Sequence, residues 1–429
     1  MELVCGSACS ASSRSFSSVS ENSASNRLNS GSLSISVCEA LSPLCAKRIT
    51  RRRQSNPTPC DHSLRNRSLS ALFLKQCLAS QSISSSAALV ISHPDQYVES
   101  LKNQGYVLVD FAERSESIRL QVEEIAKNAG GNAVINEALL EEVTALNEWP
   151  VAVMGDFDTG FLSVPSEALV SAMAGHQKYF HMVDANGKLM PRFITVSNIT
   201  SLAPEKIISG NERVIRPRLA DAAFFFDTDK KTTLATKREK LRDIVFQKSL
   251  GTVYDKTERL ANLAAQIATT IDGDAELARQ AAQLSKADLV SDMVLEFDKM
   301  QGVAGRYYAL HDGLSAVVAN AIEEHYLPRY AGDKLPTDAT SSAVALADRL
   351  DTLTGIFGIG QEPSGSKDPF ALRRACIGIL NILINKDYAI DIHALLRTAA
   401  QQHKVIDDPE AVATRVQSYL FDRFATMYQ

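Results

Sequence analysis

The stretch from Asp348 to Arg374, DRLDTLTGIFGIGQEPSGSKDPFALRR, sets two helix ends and a glycine loop within a few turns of chain. Asp348, Arg349 and Asp351 are the polar positions of an apolar helical run that ends at Gly355. Gly358, Gly360, Pro363 and Gly365 then allow backbone angles that other residues avoid. Asp368 is placed to cap free N–H groups and Pro369 to open the next helix, because its φ is already helical. Phe370 to Ile384 follow as a helix that is apolar apart from Arg373, Arg374 and Asn381, which predicts a buried element.

A glycine loop leading into a helix start invites a phosphate-site reading, since free N–H groups and the helix dipole favour an anion there. The spacing does not meet it. A P-loop needs GxxxxGK followed by Ser or Thr, whereas Gly360 and Gly365 are followed by Ser366, Lys367 and Asp368. The dinucleotide fingerprint also fails, with Pro363 where the third glycine belongs and no predicted strand before it. A structural loop between two buried helices is the simpler reading.

Five blocks in order carry a resemblance: EWPVAVMGDFDTGFLSVPSEALVSAM from Glu148, GHQKYFHMVDANGKLMPRFITVSNI from Gly175, IISGNERVIRPRLADAAFFFDTD from Ile207, LSKADLVSDMVLEFDKMQGVAGRYYALHDG from Leu284, and GIFGIGQEPSGSKDPFALRRA from Gly355. They resemble the β subunit of the bacterial-type, two-subunit glycyl-tRNA synthetase. The resemblance covers roughly residues 100 to 429.

Composition divides the chain. About a quarter of the first ninety residues are serine, acidic residues are scarce, and Arg51, Arg52 and Arg53 stand together. Such a segment cannot bury enough apolar surface to offset its ordering entropy, so residues 1–92 are expected to be disordered. The pattern also fits an organellar transit peptide; a mispredicted or fused N-terminus is the competing explanation. Six of the seven cysteines lie there, and Cys5 and Cys9 lack a second ligand pair at zinc spacing. Cys376 reads as a core residue. No run approaches a membrane span.

Residues 93–235 read as α+β. Tyr106 to Phe111 and Val151 to Met154 are expected strands; Ser115 to Asn128, Glu137 to Asn147 and Pro165 to about Met173 are expected helices. His176 to Val183 and Leu189 to Val196 flank DANGK, and Asn186-Gly187 is a strong hairpin signal. His176, Gln177 and Lys178, just before it, are open to two readings: a helix-to-strand junction or an RNA contact. Residues 236–429 read as all-α, with helices at 238–249, 253–271, 274–300, 304–327, 340–354, 369–386, 391–403 and 409–426.

Between Glu205 and Arg259 thirteen Lys and Arg face nine Asp and Glu, although the whole chain carries a net charge of -5. Arg213, Arg216 and Arg218 are followed by Lys230, Lys231, Lys237, Arg238, Lys240 and Arg242. Cations at helical spacing can follow a phosphate backbone, or can simply be solvated helix faces. Phe224, Phe225 and Phe226 are assigned to the core.

The resemblance implies that the helical part is HD-like. Active HD domains hold metal with His and Asp and hydrolyse phosphate esters, so His311-Asp312, with Asp348 and Asp351 downstream, raises a metal-dependent phosphohydrolase as an alternative. No histidine occurs between His181 and His311, which leaves that ligand set incomplete. No metal ligands and no catalytic residues are therefore assigned. The resemblance further implies a subunit that binds and positions tRNA(Gly) while the α subunit, in an assembly of two α and two β, activates glycine with ATP and magnesium. No cofactor is expected on this chain. Candidate tRNA contacts are Arg213, Arg216, Arg218, Lys367, Arg373 and Arg374; the last two could instead fix the glycine loop by pairing with Asp348 or Asp351. The family also has an N-terminal block that the serine-rich segment replaces, and it continues past this point into an anticodon-binding domain. The expectation is thus a fragment, a divergent paralogue or an incomplete gene model, with a non-catalytic RNA-binding remnant as another alternative. The implied compartment is the cytoplasm, or a plastid or mitochondrion if residues 1–90 act as a transit peptide.

Overall fold

The computed structural model describes residues 89, 91–364 and 367–427. The serine-rich segment, its six cysteines and the transit-peptide reading lie outside the described residues, apart from residues 89, 91 and 92. The described chain falls into two units, the first ending at Phe111. In that unit Pro94 opens a 3-10 turn, Pro94–Gln96, capped by the His93 side chain, and a helical turn Tyr97–Ser100 and a π turn Leu101–Gly105 follow. The strand expected from Tyr106 is absent: Tyr106 sits at φ 53°, and Phe111 is already the first residue of helix α1, Phe111–Asn128. The left-handed residue at one end of the run and the helix start at the other leave only residues 107–110 between them.

In the second unit a four-stranded antiparallel sheet has the order β1-β3-β4-β2. Its strands are β1 (Asn132–Ala133), β2 (Val151–Asp156), β3 (Phe180–Val183) and β4 (Leu189–Ser197). The β3–β4 hairpin is the one that DANGK predicts: Asp184 Oδ1 accepts from the N–H groups of Asn186 and Lys188, and Gly187 takes φ 78°. Strand β2 does not stop at Gly155; it pairs with β4 from Val151↔Ser197 to Asp156↔Arg192. Helices α1 and α2 (Glu137–Leu146) cover one face. Ile118, Val122 and Ala126, four residues apart along α1, join Leu139, Leu140 and Val143 of α2 and Phe180, Met182 and Ile194 of the sheet in a small core. Pro165 precedes α3 (Ser166–Val170), which runs into a π turn ending at His176.

Helix α4 (Pro204–Asp229) and everything after it contribute to a second, larger core that extends from Val164 to Leu420. Its axis is helix α11 (Ala339–Gly358), which packs against α6 (Val253–Thr270), α7 (Ala275–Leu284), α10 (Ala316–Glu324), α12 (Leu372–Asn385), α13 (Ile392–Gln401) and α14 (Pro409–Met427). Sixteen residues of α11 are buried, Asp351 and Arg349 among them.

Three expected helices are interrupted. Residues 238–249 are not one helix: α5 (Leu234–Glu239) gives way to a 3-10 turn and to a two-stranded ribbon of β5 (Val245–Gln247) and β6 (Gly251–Thr252). Apolar Ile244, Val245 and Phe246 suit a strand once Gly251, at φ 87°, turns the chain back. Residues 274–300 break after α7, and a 3-10 turn leads to α8 (Asp292–Glu296), capped by Ser291, whose hydroxyl accepts from the Val294 N–H. Residues 304–327 break at Gly313, φ 80°, between α9 (Val303–His311) and α10, where the Leu314 N–H returns to the Ala309 carbonyl. Each break is made by backbone capping that an apolar repeat does not register. No helix among the described residues is long and apolar enough to cross a membrane.

Candidate nucleic-acid interface

Helix α4 starts at Pro204 and turns Ile215, Leu219, Ala222 and Phe226 inward, a stripe at helical spacing. Arg213, Arg216 and Arg218 stand exposed outside that stripe. Among the described residues none of the three makes a hydrogen bond or an ion pair, so their charges are open to solvent or to a partner. The neighbouring Phe triplet divides. Phe226 is 9% exposed and Phe225 packs on the core, but Phe224 is 64% exposed, which corrects its assignment to the core. A helix cannot bury three successive residues on one stripe, because each turns by about 100° from the last.

The rest of the basic run divides: Lys231, Lys240 and Arg242 are exposed, Lys230 and Arg238 are half-buried, and one lysine is internal. Lys237 is buried, and its Nζ donates to the Asp229 carbonyl, to the Thr232 carbonyl at 2.7 Å and to Thr232 Oγ1 at 2.6 Å. Burial pulls it below the usual lysine range, against the opposing charge of Asp229. Lys230 pairs with Asp227 at 2.8 Å. Arg238 pairs with Glu258, and the guanidinium groups of Arg238 and Arg242 lie over the Tyr254 ring. Pairing and burial therefore take Lys230, Lys237, Arg238 and Arg242 out of the open charge, while Arg213, Arg216 and Arg218 of α4 and Lys231 and Lys240 beyond it remain exposed.

The glycine loop is a helix stop. Gly360, at φ 70°, donates its N–H to the Phe357 carbonyl at 3.0 Å, and the Gln361 N–H reaches the Ile356 carbonyl at 3.0 Å. This is the paired closure in which a left-handed residue satisfies the last helical carbonyls. Helix α11 accordingly runs to Gly358, one turn past the expected end at Gly355. Beyond the loop, α12 begins at Leu372 and not at Pro369, with Ala371 at φ 55°. Asp368 caps it all the same, accepting from the Leu372 N–H at 2.8 Å and the Arg373 N–H at 3.0 Å. An anion is already seated at this helix start, and it belongs to the chain. Lys367 is exposed and bridges back to Ser364; Arg373 is half-buried and Arg374 exposed. Gly365 and Ser366 lie outside the described residues. Arg415 Nη2 ties the loop base by donating to the Phe357 carbonyl at 3.1 Å. The six candidate contacts thus form two groups on elements with different neighbours: α4 packs on β2 and α8, and α12 on α11 and α14.

Asp348 and Asp351 have other partners than the arginines of α12. Lys256 Nζ stands 2.9 Å from Asp348 Oδ1 and 2.9 Å from Asp351 Oδ2. Lys286 Nζ reaches Asp348 Oδ2 at 3.0 Å and His325 Nε2 at 2.7 Å. Arg259 Nε and His403 Nε2 lie 2.6 and 3.3 Å from Asp351 Oδ1. Between the two acids along the chain, Arg349 turns the other way and donates to the carbonyls of His325, Ala345, Tyr326, Leu327 and Pro328. Gly378 makes room for it, since a Cβ there would stand 2.5 Å from Arg349 Nε.

The electrostatics follow from burial and pairing. Burial alone would raise Asp348, but Lys256 and Lys286 outweigh it and hold the carboxyl well below its usual range. Asp351 is likewise depressed by Lys256 and Arg259 against its burial. His325 Nδ1 lies 2.7 Å from the Ile322 carbonyl and so carries the ring proton, leaving Nε2 to accept from Lys286. Burial, reinforced by the Lys286 charge, pushes His325 well below the imidazole range. Among the described residues no cation stands at hydrogen-bond distance from Asp288. Its Oδ2 accepts from the Gly302 and Gly305 N–H groups at 2.6 and 3.2 Å, and burial pushes it up to about 6.

His311, at the end of α9, is exposed. Asp312 Oδ2 accepts from the Leu234 N–H at 2.7 Å and so supports the start of α5. Among the described residues no three His, Cys, Asp or Glu side chains gather as metal ligands. Before the hairpin, His176 stacks on Phe297 with ring centres 5.8 Å apart, and Lys178 pairs with Glu142 at 2.9 Å.

Sequence reasoning missed the network of Lys256, Lys286, His325 and His403. The available signal was two aspartates three residues apart in the most apolar helix, where charge needs a partner. What the sequence did not disclose was the partners, which lie 52, 62 and 92 to 95 positions from those acids along the chain.

Residues 68–429 match the family model described as glycyl-tRNA synthetase beta subunit. Relatives named glycine–tRNA ligase beta subunit include that of Hahella chejuensis, 55% identical over 343 residues, which are 80% of this chain and 49% of the relative. That of Marinobacter nauticus is 54% identical over 79% of this chain and 49% of its own length, and that of Chromohalobacter salexigens 54% identical over 80% and 50%. The chain spans about half the length of the curated relatives it matches.

Proposed function

Because the chain belongs to the glycyl-tRNA synthetase beta subunit family, we propose that it serves glycylation as the subunit that binds and positions tRNA(Gly). An α subunit carries the catalytic site and uses ATP with magnesium, attaching glycine to the 3′ end of the tRNA with release of AMP and pyrophosphate. The assembly contains two α and two β subunits. Within the chain we keep residues 93–235 as the α+β part and 236–429 as an HD-like helical part that has a structural role. The reaction takes place in the cytoplasm, or in a plastid or mitochondrion if residues 1–90 direct the chain there.

The observation that carries this reading is the α4 face. Arg213, Arg216 and Arg218 are exposed on a chain of net charge -5 and lack an intramolecular partner among the described residues. Cations left open in this way are what a phosphate backbone engages. Lys367 and Arg374, exposed near the start of α12, form a second group of contacts, with Arg373 beside them. The His311-Asp312 doublet does not favour a phosphohydrolase, because Asp312 is occupied at the start of α5.

The test is glycine charging of bacterial-type tRNA(Gly) by this chain mixed with a cognate α subunit, with each subunit alone as control. Charging in the mixture alone supports the reading. Tight RNA binding without charging, while the two subunits still co-elute, would replace it with a non-catalytic RNA-binding role.

A further inference from the structure

Residues on a helix turn by about 100° each and rise by about 1.5 Å, so positions seven or eleven apart return to nearly the same direction. On α4 this places Lys206, Arg213, Ala220 and Phe224 along one line, with Arg216 beside it. All five are exposed. Arg213 and Phe224 are about 16 Å apart along the axis, with exposed Pro217 and Ala220 between them, neither of which carries a charge or a long side chain. The opposite stripe, Ile215, Leu219, Ala222 and Phe226, anchors the helix to the core. Phe225 packs on that core and meets Phe224 edge-on, with ring centres 5.7 Å apart, which steadies the outer ring without covering it. Of the nearby acids, Asp227 is already paired with Lys230 at 2.8 Å.

The geometry points to an unpaired stretch of RNA as the occupant of this line: Arg213 and Arg216 hold phosphates while the Phe224 ring stacks on a base. The inference rests on the RNA-binding reading above and narrows it to single-stranded RNA. Charge complementarity gives the polyanion, and the exposed ring gives the strandedness. A duplex keeps its base faces inside, whereas a splayed single strand presents them to aromatic side chains. An acidic protein would also meet the arginines, but it has no need for a flat ring three turns from them.

The test uses the full chain and a 12-nucleotide RNA carrying 2-aminopurine, as a single strand and as a blunt duplex, with binding read by anisotropy and stacking by quenching. Phe224→Ala should weaken single-strand binding about tenfold and abolish the quenching, with duplex binding unchanged. Phe224→Tyr should retain both. Arg213→Gln with Arg216→Gln should weaken both RNAs. If the double arginine variant loses RNA binding and Phe224→Ala does not, the RNA-binding reading stands and the stacking inference fails. If neither variant changes RNA binding, α4 is not the RNA surface and the inference fails, whereas a full chain that binds neither RNA would overturn the RNA-binding reading with it. Loss of co-elution with the α subunit in Phe224→Ala, with RNA binding intact, would make this line a protein contact and overturn the inference.

Discussion

Lys256 Nζ stands 2.9 Å from Asp351 Oδ2 with 5% and 2% of the two side chains exposed, so a lysine of α6 and an aspartate of α11 form an ion pair inside the larger core. Removing one partner of such a pair leaves the other charge buried and uncompensated. Lys256→Met should therefore destabilise the fold by about 3–5 kcal/mol. Urea unfolding checks this through a lower midpoint at an unchanged slope; an unchanged midpoint would mean that Arg259 and Lys286 suffice to hold both acids.

Asp288 gives a pH dependence with a defined sign. Its folded-state pKa of about 6 lies above the ordinary value of about 3.9. The stability it contributes is thus fully present below about pH 4 and is lost as the pH rises through about 6. Asp288→Asn keeps an acceptor for Gly302 and Gly305 and removes the titration. The stability difference should shift towards the variant by up to about 3 kcal/mol between pH 4 and pH 7. Denaturant curves of both proteins across that range test it, and a flat difference would show that the carboxyl titrates normally.

His325 acts in the opposite direction. Its folded-state pKa is lowered, so its contribution is present above the free imidazole value of about 6.5 and falls away as the pH drops below it. His325→Gln should reduce the loss of stability between pH 6.5 and pH 5, measured relative to the unsubstituted chain at each pH. An equal loss in both proteins would sink this assignment.

Asp368 holds two backbone N–H groups at the start of α12, and Asp368→Ala should cost about 1 kcal/mol. The sharper readout is hydrogen exchange, which should accelerate at the Leu372 and Arg373 amides. Unchanged protection there would show that the loop, not the carboxylate, sets the helix start.

For Arg213→Gln and Arg216→Gln the expectation is reversed: stability within about 0.5 kcal/mol of the original, since neither side chain has an internal partner among the described residues. RNA affinity should fall, and the slope of log affinity against log salt should flatten by about 0.7 to 1 for each lost contact. A slope that does not change would remove these residues from the RNA interface.

What could be read from the sequence was what is local. DANGK specified its hairpin because the Asn186-Gly187 turn and its flanking apolar runs are contiguous, and α6, α13 and α14 were found by their periodicity with bounds close to those observed. Arg213, Arg216 and Arg218, named as candidate tRNA contacts, stand exposed on α4, while Lys237, from the same basic run, is internal. Side-chain charge does not reveal whether a neighbour such as the Thr232 carbonyl will arrive to meet it. Phe224 was misplaced for a related reason: composition groups three phenylalanines that helix geometry separates. The buried ion network was invisible because its members meet only after α6, α10 and α11 have packed.

That network also limits how the sequence can change. Lys256, Lys286, His325 and His403 come from four segments and Asp348 and Asp351 from a fifth, α11, yet each is a condition on the others. A chimera assembled from two relatives that differ in this set would inherit half a circuit, and replacing any one segment would import a charge with no counterpart. Exchange of parts within this region is therefore feasible only where all six positions travel together, which makes a stretch of nearly 150 residues behave as one heritable unit.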